Sequence, residues 1–160
     1  MILVTVGTHE QGFERLVRAA DELAALVDEE VLIQYGSSRY IPQQAQGFQW
    51  ASSQEMERLT QAARLVVTHA AAGAVILALR LGKPLVVVAR RQCYGEHIDD
   101  HQQQLAAALQ AGNLAVSVDH PTSITLQRAI EQCDQLEPPR SSQQRLVQSL
   151  KRQLIEWEPG

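Results

Sequence analysis

A chain of 160 residues with 45% hydrophobic content is long enough for one well-buried domain and too short for two of ordinary size. Its 14 basic and 18 acidic side chains leave a formal net charge of -4, without the concentrated basic surface of a nucleic-acid binder. No apolar run reaches the ~20 residues that span a bilayer, no basic region precedes Met1-Ile2-Leu3, and Cys93 and Cys133 have neither zinc spacing nor a C-x-x-C motif; a cytoplasmic chain with ordinary thiols is expected.

The first predicted element is a strand over Ile2 to Val6, followed by an amphipathic helix over Phe13 to Val27 that lines up Leu16, Ala19, Ala20 and Leu23. Val31 to Tyr35 reads as a second strand, Gly36-Ser37-Ser38 as a turn, and Ile41 to Gly47 as a glutamine-rich loop. A short strand is expected over Phe48 to Trp50. Ser52 or Ser53 then caps a helix with Glu55 and Glu57 in its first turn, where the helix dipole favours acids. Leu65 to Val67 and Leu85 to Val88 are β-branched runs of the kind buried on both faces of a parallel sheet. Between them Ala74 to Leu81 is helical in composition, and Gly82-Lys83-Pro84 stops it. Further helices are expected over Asp99 to Gln110 and over Thr122 to Cys133, with a strand over Leu114 to Val118 between them. Pro138-Pro139 separates a domain of residues 1–137 from a last helix, Ser141 to Trp157, whose Leu146, Leu150, Leu154 and Trp157 form a stripe that packs on the domain or on a partner.

Strands alternating with helices predict an α/β fold, a Rossmann-like doubly wound parallel sheet. Gly7-Thr8-His9, Gly36-Ser37-Ser38, Thr68-His69 and Arg90-Arg91 all follow predicted strands and so converge on the carboxyl edge, where open α/β sheets bind ligands. The common nucleotide motifs are missing: there is no G-x-G-x-x-G, and Gly7 to Gly12 has P-loop spacing but continues with Phe13-Glu14 instead of Lys and Ser or Thr. No G-x-S-x-G elbow or H-E-x-x-H pair occurs. His97 and His101, four apart around Asp99 and Asp100, would need further ligands to hold a metal, and none is expected to be bound. Ala72-Gly73-Ala74 offers a helix start that suits an anion, although small residues there also permit tight packing.

The stretches MILVTVGTHEQGFERLVRAADELA, IQYGSS, VVTHAAAG with LRLGKPLVVV, and RRQCYGEHIDDHQ resemble the glycosyltransferase family 28 C-terminal-domain group, above all its small bacterial exopolysaccharide subunits. The likeness is collinear from Met1 to Gly112. It implies the donor half of a GT-B fold, with the acceptor half on a separate membrane-associated subunit that holds the chain at the inner face of the membrane. It also implies inverting transfer from a UDP-sugar to a lipid-linked sugar acceptor, with no cofactor. By the same resemblance His69 and Gly73 map near the donor phosphates, and Gly7, Thr8 and His9 onto a loop facing the cleft. Glu96, His97, Asp100 and Gln102 map onto the segment that closes over the sugar. A cation such as Arg90, Arg91 or protonated His69, together with the backbone at Gly73, would stabilise the leaving diphosphate. The chain departs from its relatives at Ala71, Ala74, Leu77 and Ala89, where glycine, a hydroxyl, a glutamate and a proline are frequent. The alternative is therefore a non-catalytic binding or regulatory module that kept the fold and lost donor binding.

Overall fold

The computed structural model describes residues 1–136, together with Gln148 and Arg152. Apart from Gln148 and Arg152, which are helical, the predicted helix over 141–157 and the segment 138–160 lie outside the described residues. Six strands form one sheet: β1 (Ile2–Thr5), β2 (Val31–Gln34), β3 (Gln46–Phe48), β4 (Leu65–His69), β5 (Leu85–Val88) and β6 (Val116–Ser117). Their order is β3-β2-β1-β4-β5-β6, and every neighbouring pair is parallel. The chain winds outward in one direction from β1 and, after crossing back, in the other from β4. The reversal lies between these two strands, which pair Thr5 with Thr68.

Alternation along each central strand sorts the apolar side chains onto two faces. Ile2, Val4, Leu65, Val67, Val86 and Val88 join α1 (Glu14–Ala24) and α5 (Ser123–Asp134) in one core layer. Leu3, Val66, Leu85 and Val87 join α3 (Ala72–Arg80) and α4 (His101–Ala111) in the other, with Met56 and Leu59 of α2 (Ser53–Ala62) packed against it. Burial on both faces explains why β1, β4 and β5 read as apolar runs.

Helix ends follow local chemistry. The Ser52 side chain accepts from the Glu55 N–H to cap α2, and Thr122 forms a reciprocal capping box with Thr125 at α5. Helix α1 is shorter than the periodicity predicts; it starts after Phe13 and ends at Ala24, leaving Leu26 exposed. Helix α3 begins two residues earlier than expected, and α4 begins at His101 with Asp100 as its N-cap.

The third strand lies upstream of its predicted position. Buried Asp21 of α1 explains why: its carboxylate accepts the N–H groups of Gln43, Gln44 and Ala45 and the Tyr40 hydroxyl, which delivers Gln46 to the edge of β2. Burial alone would raise the Asp21 pKa, but the Tyr40 hydroxyl and the three N–H groups outweigh it and hold the carboxyl below its ordinary value. Because β3 is a largely exposed edge strand, Gln46-Gly47-Phe48 carries no apolar alternation from which a strand could be read.

Candidate functional site

At the β1/β4 reversal the carboxyl ends of the strands open into a cavity of about 520 Å³. Its strand side is formed by Thr5, Gly7, Thr8, Gln34 and His69, and its helix side by Trp50, Met56, Glu57 and Thr60 opposite Ala71, Gly73, Ala74 and Leu77. Gly7 adopts a positive φ of 76°, and a Cβ built there would stand 2.6 Å from Cε1 and 2.7 Å from Nε2 of His69. The turn after β1 therefore needs glycine twice over, for its left-handed backbone and for the imidazole against it.

His69 is the last residue of β4 and is only 7% exposed. Burial, and after it the charge of Arg90, push its pKa down to about 3, so the ring is neutral at physiological pH. Its Nδ1 lies 3.2 Å from the Thr68 hydroxyl, and the ring also bonds the Thr5 backbone. A neutral imidazole can offer a diphosphate a hydrogen bond but no counter-charge.

This burial has a measurable consequence. The unfolded chain protonates His69 near its ordinary value of ~6.5, whereas the folded chain resists, so stability is lost as pH falls from that value towards 3. One such group tilts stability by at most about 1.4 kcal/mol per pH unit. The urea midpoint of the wild type should decline between pH 7 and 4.5. In His69→Gln the slope should shrink to the part left by His9, whose pKa is lowered by burial, then by Arg90 and His97. Equal slopes would assign the decline to another group. The depressed carboxyl of Asp21 acts in a lower window, being lost only as pH falls through its folded value.

Beyond His69, α3 begins at Ala72, and its N-cap residue, Ala71, has no side chain that could cap it. Gly73 in its first turn has no positive φ, and a Cβ there would meet nothing within 4 Å. Neither backbone geometry nor packing asks for this glycine, which costs a helix ~0.5–1 kcal/mol relative to alanine. Its bare backbone lets a ligand approach a helix N-terminus, where N–H groups and the macrodipole favour an anion. The lining also includes half-exposed Trp50 with the apolar Met56 and Leu77 and the polar Ser53, Glu57 and Thr60.

The remaining predicted residues form a second group on neighbouring loops. Arg90 is only 1% exposed, and its guanidinium donates to the carbonyls of Val6 (2.6 Å), Gln11 (2.8 Å), Glu96 (3.0 Å) and Gly12 (3.3 Å). Burial lowers its pKa to about 10, leaving it charged at neutral pH. Buried Glu96 accepts both Nε and Nη2 of Arg15 (2.9 and 2.8 Å) and the N–H of Arg91 (3.0 Å). Arg91 itself lies 3.8 Å from Asp119. Gln102 accepts the Arg90 N–H, and Asp100 accepts the Gln92 N–H. His97 stacks on His9 at 4.9 Å and shares Asp99 with His101. Among the described residues no group of three or more His, Cys, Asp or Glu can hold a metal ion.

The structure thus brings Gly7, Thr8, His69 and Gly73 together around the cavity, while His9, Arg90, Arg91, Glu96, His97, Asp100 and Gln102 do not line it. Sequence reasoning missed Gln34, Trp50, Met56, Glu57 and Thr60. Met56, Glu57 and Thr60 recur at helical spacing from Ser53, a face visible only once α2 is known to border the cavity.

Comparison with known proteins supplies the relationship. The glycosyltransferase family 28 C-terminal domain matches residues 1–154. A UDP-N-acetylglucosamine transferase subunit, ALG13 of Eremothecium gossypii, is 37% identical over 101 residues, covering 62% of this chain and 47% of its own. The chain spans about half the length of that relative. Among solved structures, the glycotransferase of kitacinnamycin superposes with a TM-score of 0.65 at 20% identity, over 97% of this chain and 39% of that one. The calicheamicin glycosyltransferase CalG4 gives 0.63 at 19%, over 96% and 38%. The solution structure of ALG13 gives 0.60 at 24%, over 98% and 95%. These likenesses show the fold, the Rossmann-like C-terminal half of GT-B glycosyltransferases. The matched domain covers nearly the whole sequence, and the chain belongs to the glycosyltransferase family 28 C-terminal domain family.

Proposed function

We propose that the chain is the donor-binding subunit of an inverting UDP-sugar glycosyltransferase that works with a membrane-associated acceptor-binding subunit and glycosylates a lipid-linked sugar in exopolysaccharide synthesis. The observation that carries this reading is the glycine-opened start of α3 beside Gly7 and His69 at the sheet's reversal point. That the relative ALG13 is a transferase subunit supports the division of labour. None of the described helices is long and apolar enough to cross a membrane, so in this reading the partner provides the membrane contact.

The lining combines groups that suit a nucleoside diphosphate. Trp50 presents an indole for a planar base, and the start of α3 lies where a diphosphate would gain negative charge. In the transfer, the bond from the anomeric carbon to the phosphate oxygen breaks and UDP leaves with the electron pair. The acceptor oxygen forms the new bond and gives its proton to a base. Among the described residues no lysine or arginine lines the cavity, so in this reading the backbone dipoles of α3 are what these residues offer the leaving diphosphate.

One observation favours the second reading, a non-catalytic module. Ala74 and Leu77 line the cavity without a hydroxyl or carboxylate to hold phosphate or ribose. Calorimetric titration with UDP separates the two. The donor-subunit reading expects saturable binding at millimolar or lower UDP, weakened ~10- to 100-fold in Trp50→Ala, since stacking a base on an aromatic ring contributes ~1–3 kcal/mol. No binding to the folded wild type would select the module.

A further inference from the structure

We propose that Gln34 is a positioning residue that holds both walls of the cavity in register for the nucleotide, a role that rests on the UDP-binding reading above. Gln34 ends β2 and is 3% exposed. Its Oε1 accepts from the Thr5 hydroxyl (2.6 Å) and from the N–H groups of Gly7 (3.0 Å) and Val6 (3.2 Å). Its Nε2 donates to the Gly7 carbonyl (3.0 Å) and the Gln49 carbonyl (2.9 Å).

These partners fix the amide's orientation, because backbone N–H groups can only donate and carbonyls can only accept. They also use up its capacity: both N–H bonds are made and the oxygen takes three donors, so nothing is left for a ligand. Gln34 therefore acts through what it holds. On one side is the Gly7 turn, against which His69 packs; on the other is Gln49, next in the chain to Trp50. The Gly7 turn and the segment that leads to Trp50 thus share one side chain.

The surroundings are shaped to keep this clamp closed. Gly36 has a φ of 55°, and a Cβ there would stand 2.8 Å from the Gly7 carbonyl and 3.4 Å from Gln34 Nε2. No other side chain of this length supplies two N–H donors and an accepting carbonyl together. Glutamate matches the length but, ionised, has no donor; lysine and arginine have no acceptor; asparagine is one methylene short.

Gln34→Glu keeps the accepting half and sets a carboxylate against two carbonyls, while Gln34→Met removes both halves. Burial and the two facing carbonyls raise the pKa of a carboxyl there, the three donors on its other oxygen lower it, and its protonated form regains one donor. The test is UDP affinity by calorimetry at pH 8 and pH 5.5, each variant being expressed relative to wild type at the same pH so that titration of UDP cancels. At pH 8 both variants should bind at least tenfold more weakly. At pH 5.5 the Gln34→Glu deficit should shrink to within about threefold, while that of Gln34→Met should not change. Thermal melts confirm that folded protein is being titrated.

Wild-type binding that both variants match, or a Gln34→Glu deficit that remains at a pH where the carboxyl carbon's chemical shift shows it protonated, overturns the role of Gln34 alone. A wild type that binds no UDP defeats this role together with the binding reading. If neither variant folds, the Gln34 side-chain amide resonances of the wild type decide. Their solvent exchange should slow at least tenfold on saturation with UDP, and unchanged exchange would overturn the proposal.

Discussion

Arg90→Ala is expected to lower folding stability by about 3–5 kcal/mol, the range for breaking a buried charged network. The guanidinium joins the end of β1, the Gln11-Gly12 turn and Glu96, so its loss leaves four carbonyls without their donor and a void beside the Phe13 ring. Since whole domains are stable by only ~5–15 kcal/mol, a large share of the total is at stake. Arg90→Lys should recover part of the loss, because an ammonium has three donors but not the planar fork that reaches several loops at once. Urea unfolding measures both. A loss below about 1 kcal/mol for the alanine variant would mean that these loops are held elsewhere.

Gly7→Ala combines two costs at the site itself. A left-handed backbone costs a non-glycine residue ~1–2 kcal/mol, and overpacking a filled site adds ~1–3 kcal/mol. The new methyl would press on Cε1 and Nε2 of His69, a ring held by the Thr5 backbone and close to the Thr68 hydroxyl. A stability loss of ~2–5 kcal/mol is expected, with a loss of UDP affinity in whatever remains folded. In Gly7→Ala/His69→Ala the space vacated by the ring should relieve the overpacking but not the backbone cost. Equal penalties for Gly7→Ala in the wild-type and His69→Ala backgrounds, measured by urea unfolding, would show that the ring is not what the methyl meets.

The central sheet was legible because β1, β4 and β5 are buried on both faces and carry apolar runs, broken by polar residues only at the carboxyl ends of β1 and β4. Strand β3 was not, since an exposed edge held in place by a distant aspartate leaves no local pattern. The same distinction runs through the site. Gly7, Thr8, His69 and Gly73 stand out as polar or glycine residues immediately after strands, where the fold class alone puts a ligand. Gln34 sits within a predicted strand, and its role depends on Gly7 and Gln49, 27 and 15 residues away in sequence. Trp50 could be read as an apolar strand residue and becomes a cavity wall only because β3 ends before it. Arg90 shows the converse: its charge suggested an anion contact, and only the folded loops show its donors directed at backbone carbonyls. Charge is visible in a sequence; the partner that engages it is not.

The most direct test of the account is an amide NMR titration of the folded chain with UDP. The account predicts saturable shifts concentrated at Gly7, Thr8, Trp50, Gly73 and Ala74, which surround the cavity at the β1/β4 reversal. Shifts centred instead on the wider groove of Arg18, Arg39 and Tyr40, or none at millimolar UDP, would contradict it.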